Sequence, residues 1–98
     1  MFIKGNLREH ERKPFITPLK YSLSVIELRE LKKIFNVAVS VDISSGGLGI
    51  ITDFPLEKGH VLTFEDTIKL HHIIPQKAAV VKWTGKINGK YRAGLKFV

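Results

Sequence analysis

The chain has 98 residues, a length that suits one domain with a single hydrophobic core. Its apolar fraction of 44% and charged fraction of 26% are those of a globular protein and argue against a disordered chain. The absence of cysteine excludes disulfides and thiolate metal sites, and the net charge of +7 suits either a partner that carries phosphate or a plain solvated surface.

The N-terminal residues 1–6 lack the apolar run of a signal peptide, and no segment approaches the roughly 20 apolar residues of a membrane span. The absence of cysteine also fits a reducing compartment. We therefore predict a cytoplasmic protein with no membrane span.

The first predicted element is a flexible N-terminal arm over residues 1–14, which precedes a barrel domain over residues 15–98. The arm contains Arg8 and Arg12. Guanidinium groups bind phosphate in a bidentate manner, stack on bases and pair with the O6 and N7 atoms of guanine. The alternative is a solvated basic tail in which Glu9 and Glu11 pair with the two arginines.

The next segment has a helical signal. The run Ser24-Val25-Ile26-Glu27 has the form of a capping box, and Leu28, Leu31 and Phe35 recur near helical spacing. These features predict a short helix near residues 25–33. Two strands that form a long hairpin are the alternative.

Residues 36–44 have the two-residue period of a half-buried strand. The period places Val37, Val39, Val41 and Ile43 on the core side. Asp42 and Ser44 are then expected on the opposite face, just before a turn that contains Gly46 and Gly47.

This turn has the chemistry of a nucleotide site. A carboxylate such as Asp42 can accept hydrogen bonds from the N1 and N2 donors of guanine, and the Ser44 hydroxyl can donate or accept. Gly46 and Gly47 can take positive φ and expose their amides to a ligand. Because any strand exit also uses Asp, Ser and Gly, it is the upstream arginines that favour a ligand site over a structural turn.

The rest of the chain predicts further short strands near residues 48–52, 60–65 and 68–74, separated by turn signals. Asn88-Gly89 predicts a two-residue hairpin turn. Alternation places one set of side chains of this hairpin in the core: Ala79, Val81, Trp83, Tyr91, Ala93, Leu95 and Phe97. Arg92, Gly94 and Lys96 then face outward. The spacing of the strands predicts an all-β fold, a small antiparallel barrel.

No catalytic residue or metal ligand set is predicted. The histidines His10, His60, His71 and His72 have no nucleophile or carboxylate pair at a useful spacing, and adjacent residues of a strand point to opposite faces. Single-stranded nucleic acid is not favoured as a partner, because Trp83, Tyr91 and Phe97 are expected in the core rather than exposed for base stacking.

The order and separation of the two motifs resemble the PilZ domain family. The motifs are Arg-x-x-x-Arg at Arg8 and Arg12, and Asp-x-Ser-x-x-Gly at Asp42, Ser44 and Gly47. The likeness continues through Gly46-Gly47-Leu48-Gly49-Ile50, Val80-Val81-Lys82-Trp83 and Tyr91-Arg92-Ala93-Gly94-Leu95. It extends over the chain from Arg8 onward.

The resemblance implies a six-stranded antiparallel barrel that binds the bacterial second messenger cyclic di-GMP. Arg8 and Arg12 would contact phosphate and guanine, Asp42 and Ser44 would bind from the barrel surface, and Gly47 would leave room for the ligand. Another alignment would place Lys13 and Thr17 at the arginine positions. We prefer Arg8 and Arg12, because residues 13–15 then match the usual start of the first strand.

The function predicted from the sequence is that of a single-domain receptor and adaptor without catalytic activity or cofactor. It would bind cyclic di-GMP through Arg8, Arg12, Asp42, Ser44, Gly46 and Gly47 and switch an unidentified protein partner. Two alternatives stay open. One is a PilZ-like interaction module that has lost its ligand, and the other is a small basic barrel that binds single-stranded nucleic acid.

Overall fold

The strands of this protein close into a single antiparallel barrel. In a computed structural model, residues 13–70 and 73–98 are described. The strands are β1 (Lys13–Glu27), β2 (Glu30–Ile43), β3 (Gly47–Thr52), β4 (Val61–Leu70), β5 (Ile73–Ile87) and β6 (Lys90–Phe97). Their order around the barrel is β1-β2-β3-β6-β5-β4, and β1 pairs with β4 to close it. The prediction of a six-stranded all-β barrel is confirmed.

The helix predicted near residues 25–33 is wrong, and the alternative hairpin is correct. β1 and β2 run straight through this segment to a two-residue turn at Leu28 and Arg29. The reason is that Leu23 and Val25 continue the alternation of β1 and pack in or against the core. The helically spaced Leu28, Leu31 and Phe35 are all exposed, so no tertiary packing would stabilise a helix here.

The strand predicted over residues 36–44 is present as the end of β2, but its valines face the other way. Ala38 and Ser40 are buried, whereas Val37 and Val39 are exposed. Small side chains point inward here because the interior of a small barrel is narrow. A register shift then leaves an extra residue on β2 between Ser40 and Asp42, which reverses the alternation.

The hairpin predicted at Asn88-Gly89 is present, and both turn residues have positive φ, 47° and 78°. Arg92 and Lys96 are exposed, and Ala93 and Leu95 are buried, as predicted. Trp83 is the exception. A register shift in β5 between Val81 and Trp83 turns its indole to the outer surface, where the residue is 47% exposed.

The core fills the barrel from all six strands and from the loop between β3 and β4. The largest fully buried side chains are Phe64, Ile43, Leu48, Ile50, Leu62 and Val81. Inside the barrel the Tyr21 hydroxyl and Thr52 Oγ1 share a hydrogen bond of 2.7 Å. Burial raises the pKa of the Tyr21 phenol, and the bond to Thr52 acts in the opposite direction.

Candidate functional site

The turn between β2 and β3 is held together by the Ser44 side chain. Ser44 Oγ accepts a hydrogen bond from the Gly46 N–H at 3.2 Å, and the main-chain N–H of Ser44 donates to the Gly47 carbonyl at 2.8 Å. The Gly46 carbonyl accepts from the Phe97 N–H of β6 at 2.9 Å. Ser44 is only 5% exposed, so it lies inside the turn instead of on the outward strand face predicted from alternation.

Gly47 is required by a close backbone contact. A Cβ atom built at this position would lie 1.9 Å from the carbonyl oxygen of Leu95 on β6. Gly47 does not use the positive φ that a glycine can adopt. Its lack of a side chain therefore lets β3 approach β6, and the Gly46 amide, already donated to Ser44, is not directed at solvent.

Asp42 lies on β2, and its carboxylate covers the outer face of β3 at Gly49. Its Oδ1 accepts a hydrogen bond from the Gly49 N–H at 3.2 Å. A Cβ on Gly49 would lie 3.1 Å from this oxygen and 3.2 Å from Val41 Cγ2. Leu48 and Ile50 on either side of Gly49 are fully buried, so Gly49 presents its outer face to the Asp42 carboxylate.

Trp83 of β5 covers Gly94 of β6 in the same way that Asp42 covers Gly49 of β3. A Cβ on Gly94 would lie 2.1 Å from Trp83 Nε1 and 2.3 Å from Cε2, so the indole rests directly on the Gly94 backbone. Ala93 and Leu95 beside Gly94 are buried, which places this contact on the outer surface of β6. The ring is supported from below and remains open to solvent.

Asp42, Gly49, Gly94 and Trp83 form one row across four adjacent strands, which we call the glycine row. Asp42 pairs with Gly49, Gly49 with Gly94, and Gly94 with Trp83. Both end residues follow a register shift, and without the extra residue strict alternation would have turned each of them into the core. The two bulges therefore direct a carboxylate and an indole over adjacent glycines whose strands are about 5 Å apart.

This arrangement has the chemistry of a purine site. An exposed indole offers a π-face for a base, and a carboxylate about one strand away can accept the N1 and N2 donors of guanine. Arg92 and Lys96 lie two residues to either side of Gly94 on the same outer face of β6, and both are exposed. Their charges suit the phosphates of a nucleotide.

Sequence reasoning missed Trp83, Gly49 and Gly94 as site residues. One signal could have found Trp83 and Gly94. Counting back from the Asn88-Gly89 turn pairs Trp83 with Gly94, and Gly94 was already predicted to face outward. Paired residues share a face, so a core position for Trp83 contradicted the register of its own hairpin.

Arg8 and Arg12 lie outside the described residues. Lys13 and Thr17, which the other alignment would place in the arginine motif, both belong to β1. Thr17 uses its backbone to contact β2, since its N–H donates to Ser40 Oγ at 3.1 Å and its carbonyl accepts from the same hydroxyl at 3.2 Å.

A groove of about 340 Å³ is lined by residues of β1, β2 and β4 and by Lys77 of β5, and none of its lining residues belongs to the glycine row. Its rim includes Phe35, Lys20 and Lys77. Lys20 lies 3.7 Å from the Glu65 carboxylate, and Lys77 donates to the Glu65 carbonyl at 2.8 Å, so both cations already have acceptors. The glycine row is therefore the better candidate for an anionic ligand.

The fold and this surface define a small closed β-barrel with a candidate nucleotide-binding face. The chain belongs to the PilZ domain family, whose family model matches residues 6–98. PilZ domains are binding modules, and the family is one of cyclic di-GMP receptors. No curated protein matches the chain. The described residues contain neither a helix that could span a membrane nor a group of three or more His, Asp or Glu side chains that could hold a metal ion.

Proposed function

We propose that this PilZ domain binds cyclic di-GMP on the outer surface of β2, β3, β6 and β5 and acts as a single-domain receptor. The observation that carries the proposal is the glycine row. It combines a hydrogen-bond acceptor for guanine, a stacking surface and a floor without side chains, and it is flanked by cations.

The roles within the site follow from the contacts. Trp83 stacks on a guanine base, and Asp42 accepts from its Watson–Crick edge. Ser44, Gly46 and Gly47 are positioning residues, because they fix the turn that follows Asp42 against β6. Arg8 and Arg12 contribute phosphate and guanine contacts from the segment before β1.

We prefer Arg8 and Arg12 over Lys13 and Thr17 for this clamp. Lys13 and Thr17 are residues of β1, paired with Ile43 and Ser40 of β2. A clamp that closes over a ligand has to move relative to the barrel, and two residues inside a paired strand are poorly placed to do so. Arg8 and Arg12 precede this strand in the chain.

Ligand binding would switch the surface that a protein partner meets. A ligand shifts a conformational equilibrium by its differential affinity for the two states. Here the two states would differ in whether the segment that contains Arg8 and Arg12 is ordered over the bound nucleotide. The partner is a protein of unknown identity, and the receptor itself has no catalytic role.

Calorimetric titration with cyclic di-GMP tests the proposal, with GTP, cyclic di-AMP and a single-stranded oligonucleotide as controls. We expect saturable binding of cyclic di-GMP that exceeds binding of all three controls. A chain that binds none of them is an interaction module that has lost its ligand. Stronger binding of the oligonucleotide would favour the nucleic-acid alternative, since the exposure of Trp83 removes the argument made against it from the sequence.

Matched variants test the site. Trp83→Ala should weaken cyclic di-GMP binding by the roughly 1–3 kcal/mol of one base stack. Phe35→Ala removes another exposed aromatic side chain, which lies on β2 seven residues before Asp42 and outside the glycine row, and it should leave affinity unchanged. Equal effects of the two variants would argue against the glycine row as the site.

The arginines are tested in the same way. Arg8→Ala and Arg12→Ala should each weaken binding by roughly 1.5–3 kcal/mol, the range for a hydrogen bond to a charged group. Arg29→Ala, at the exposed turn between β1 and β2, is the control and should have no effect. Unchanged affinity in both arginine variants would reject the clamp and favour Lys13.

A further inference from the structure

The hairpin of β1 and β2 extends past the barrel. β1 pairs with β4 only at Tyr21 and Ser22, and β2 begins to pair with β3 at Ala38. Beyond Ser22, residues 23–34 form a two-stranded ribbon whose registered partners lie within the ribbon itself, and Phe35 follows opposite Ser22. We call residues 24–35 the ribbon tip.

The outer face of the ribbon tip is apolar and exposed. Ile26 is 79% exposed, Leu28 at the apex 92%, Leu31 74% and Phe35 72%. Ile26 pairs with Leu31 across the ribbon. Val25 and Ile34, on the other face of the ribbon, pack against the core. The exposed apolar side chains therefore add nothing to the barrel core, and a cluster of this kind marks an interaction surface.

The apex is also strained. Leu28 and Arg29 both have positive φ, 51° and 67°, in a two-residue turn that strongly prefers Asn and Gly. The same molecule builds the β5–β6 turn from Asn88 and Gly89 with similar φ values. A leucine that is both disfavoured by the backbone and almost fully exposed has no role in the fold that accounts for it.

Charge is divided between the two faces of the ribbon tip. Lys33 lies on the outer face, with its Nζ 5.5 Å from the centre of the Phe35 ring, and Arg29 lies at the apex. Glu27 and Glu30 are on the alternate face by strand period, and Glu27 binds Lys32 at 2.6 Å. Lys33 and Arg29 therefore accompany the exposed apolar side chains, while both carboxylates lie on the other side together with Lys32.

We propose that the ribbon tip docks on the surface of an anionic lipid bilayer. Ile26, Leu28 and Leu31 enter the boundary of the acyl region, and Lys33 and Arg29 meet lipid phosphates. A bilayer fits this surface better than a protein does. The apolar side chains cover a convex, projecting end, which lipid can surround without a preformed cavity.

Co-sedimentation of the whole chain with vesicles tests this proposal, without cyclic di-GMP. We expect binding to vesicles that contain phosphatidylglycerol, and little binding to vesicles of phosphatidylcholine alone. Leu28→Asn should lower the partition coefficient at least roughly tenfold, because several buried methylene groups are lost. The same variant should raise the midpoint of thermal unfolding, so its loss of binding is not a loss of fold.

Two matched variants on β1 test whether the ribbon tip inserts into the bilayer or whether the net charge of +7 alone attracts the chain to anionic vesicles. Ile16 and Ile26 are both 79% exposed and lie toward opposite ends of the strand. Ile26→Thr should weaken vesicle binding, whereas Ile16→Thr should leave it unchanged. Equal binding of both variants and of Leu28→Asn would show attraction by net charge alone and overturn the proposal.

Two other outcomes would also overturn it. One is the absence of sedimentation with any vesicle. The other is a dimer in analytical ultracentrifugation that Leu28→Asn dissociates, which would assign the ribbon tip to a second copy of the chain. Because no nucleotide is present, each of these results leaves the proposed receptor function intact.

Discussion

Gly47 and Gly94 are both buried glycines of the same sheet, but different neighbours exclude a side chain at each. At Gly47 the neighbour is the backbone carbonyl of Leu95, which cannot move without β6. At Gly94 the neighbour is the indole of Trp83, a side chain at the surface. The first glycine is therefore needed for the fold, and the second for the position of one ring.

We expect Gly47→Ala and Gly94→Ala to separate these roles. Gly47→Ala should destabilise the domain by about 3 kcal/mol or more, because a methyl group must displace the backbone of β6. Gly94→Ala should change the free energy of unfolding much less, since the indole can swing into solvent. Urea unfolding followed by circular dichroism measures both effects.

The chain has a single tryptophan, so its fluorescence reports on Trp83 alone. Gly94→Ala should shift the emission to longer wavelength and weaken cyclic di-GMP binding. Equal destabilisation by the two alanines, with unchanged emission, would contradict the assignment of separate roles.

The residues of the site were only partly predictable from the sequence. Asp42 was placed outward correctly, but the argument assumed that Val37 and Val39 face the core, and they are exposed. The outward position of Asp42 comes from the extra residue before it, as does that of Trp83. A strict two-residue period cannot reveal a bulge, because one inserted residue exchanges the faces of everything that follows.

The two hairpin turns have similar backbone conformations but very different residues. The residues of the β5–β6 turn favour the φ values that they adopt, and those of the β1–β2 turn disfavour them. Asn88-Gly89 was recognised at once because its residues match the φ values of the turn. Leu28-Arg29 adopts similar φ values with residues that disfavour them, and this mismatch allowed a helix to be predicted there. The alternation within β1 was the stronger signal, since it extends over a strand of 15 residues.

Exchange of the turn residues should therefore stabilise the protein. The double variant Leu28→Asn and Arg29→Gly gives the first turn the residues of the second. A left-handed conformation costs most L-residues roughly 1–2 kcal/mol, and Asn and Gly adopt it more easily. We expect a gain of about 1 kcal/mol, and differential scanning calorimetry should record a rise in the midpoint of about 4–8 °C.

The reciprocal exchange is the control for this prediction. Asn88→Leu with Gly89→Arg should lower the midpoint by a similar amount, because both positions have positive φ. A lower midpoint in the Leu28→Asn and Arg29→Gly variant would mean that the exposed leucine stabilises the barrel after all.

At the scale of the whole molecule, a hydrogen bond crosses the barrel interior. Tyr21 of β1 and Thr52 of β3 are joined at 2.7 Å, although β2 separates their strands. Tyr21 is almost completely buried. Ionisation of its phenol would place an uncompensated charge inside the barrel, which is why burial raises its pKa.

Stability should consequently fall in alkaline solution. The folded state holds the phenol proton more tightly than the unfolded state, so the contribution of Tyr21 is complete below the unfolded pKa of about 10 and is lost as the pH rises through the folded pKa. Urea unfolding at a series of pH values measures this loss.

Tyr21→Phe is the control for the pH dependence. It should lower the free energy of unfolding by about 1 kcal/mol near neutral pH, because one hydrogen bond is removed. It should also flatten the decline above pH 10, which reports on the phenol itself. An equally steep decline in the phenylalanine variant would assign the alkaline effect to other groups.

The short contact between β1 and β4 gives the barrel an uneven resistance to opening. These strands are registered only at Tyr21 with Phe64 and at Ser22 with Thr63, whereas β3 and β6 pair along the whole of β3. The barrel is thus a curled sheet that is closed by a short β1–β4 seam of two residue pairs. Local opening starts where the fewest hydrogen bonds must break, so we expect amide exchange with solvent to be faster along this seam than beneath the glycine row. The barrel can loosen on one side while the proposed nucleotide surface on the other side keeps its shape.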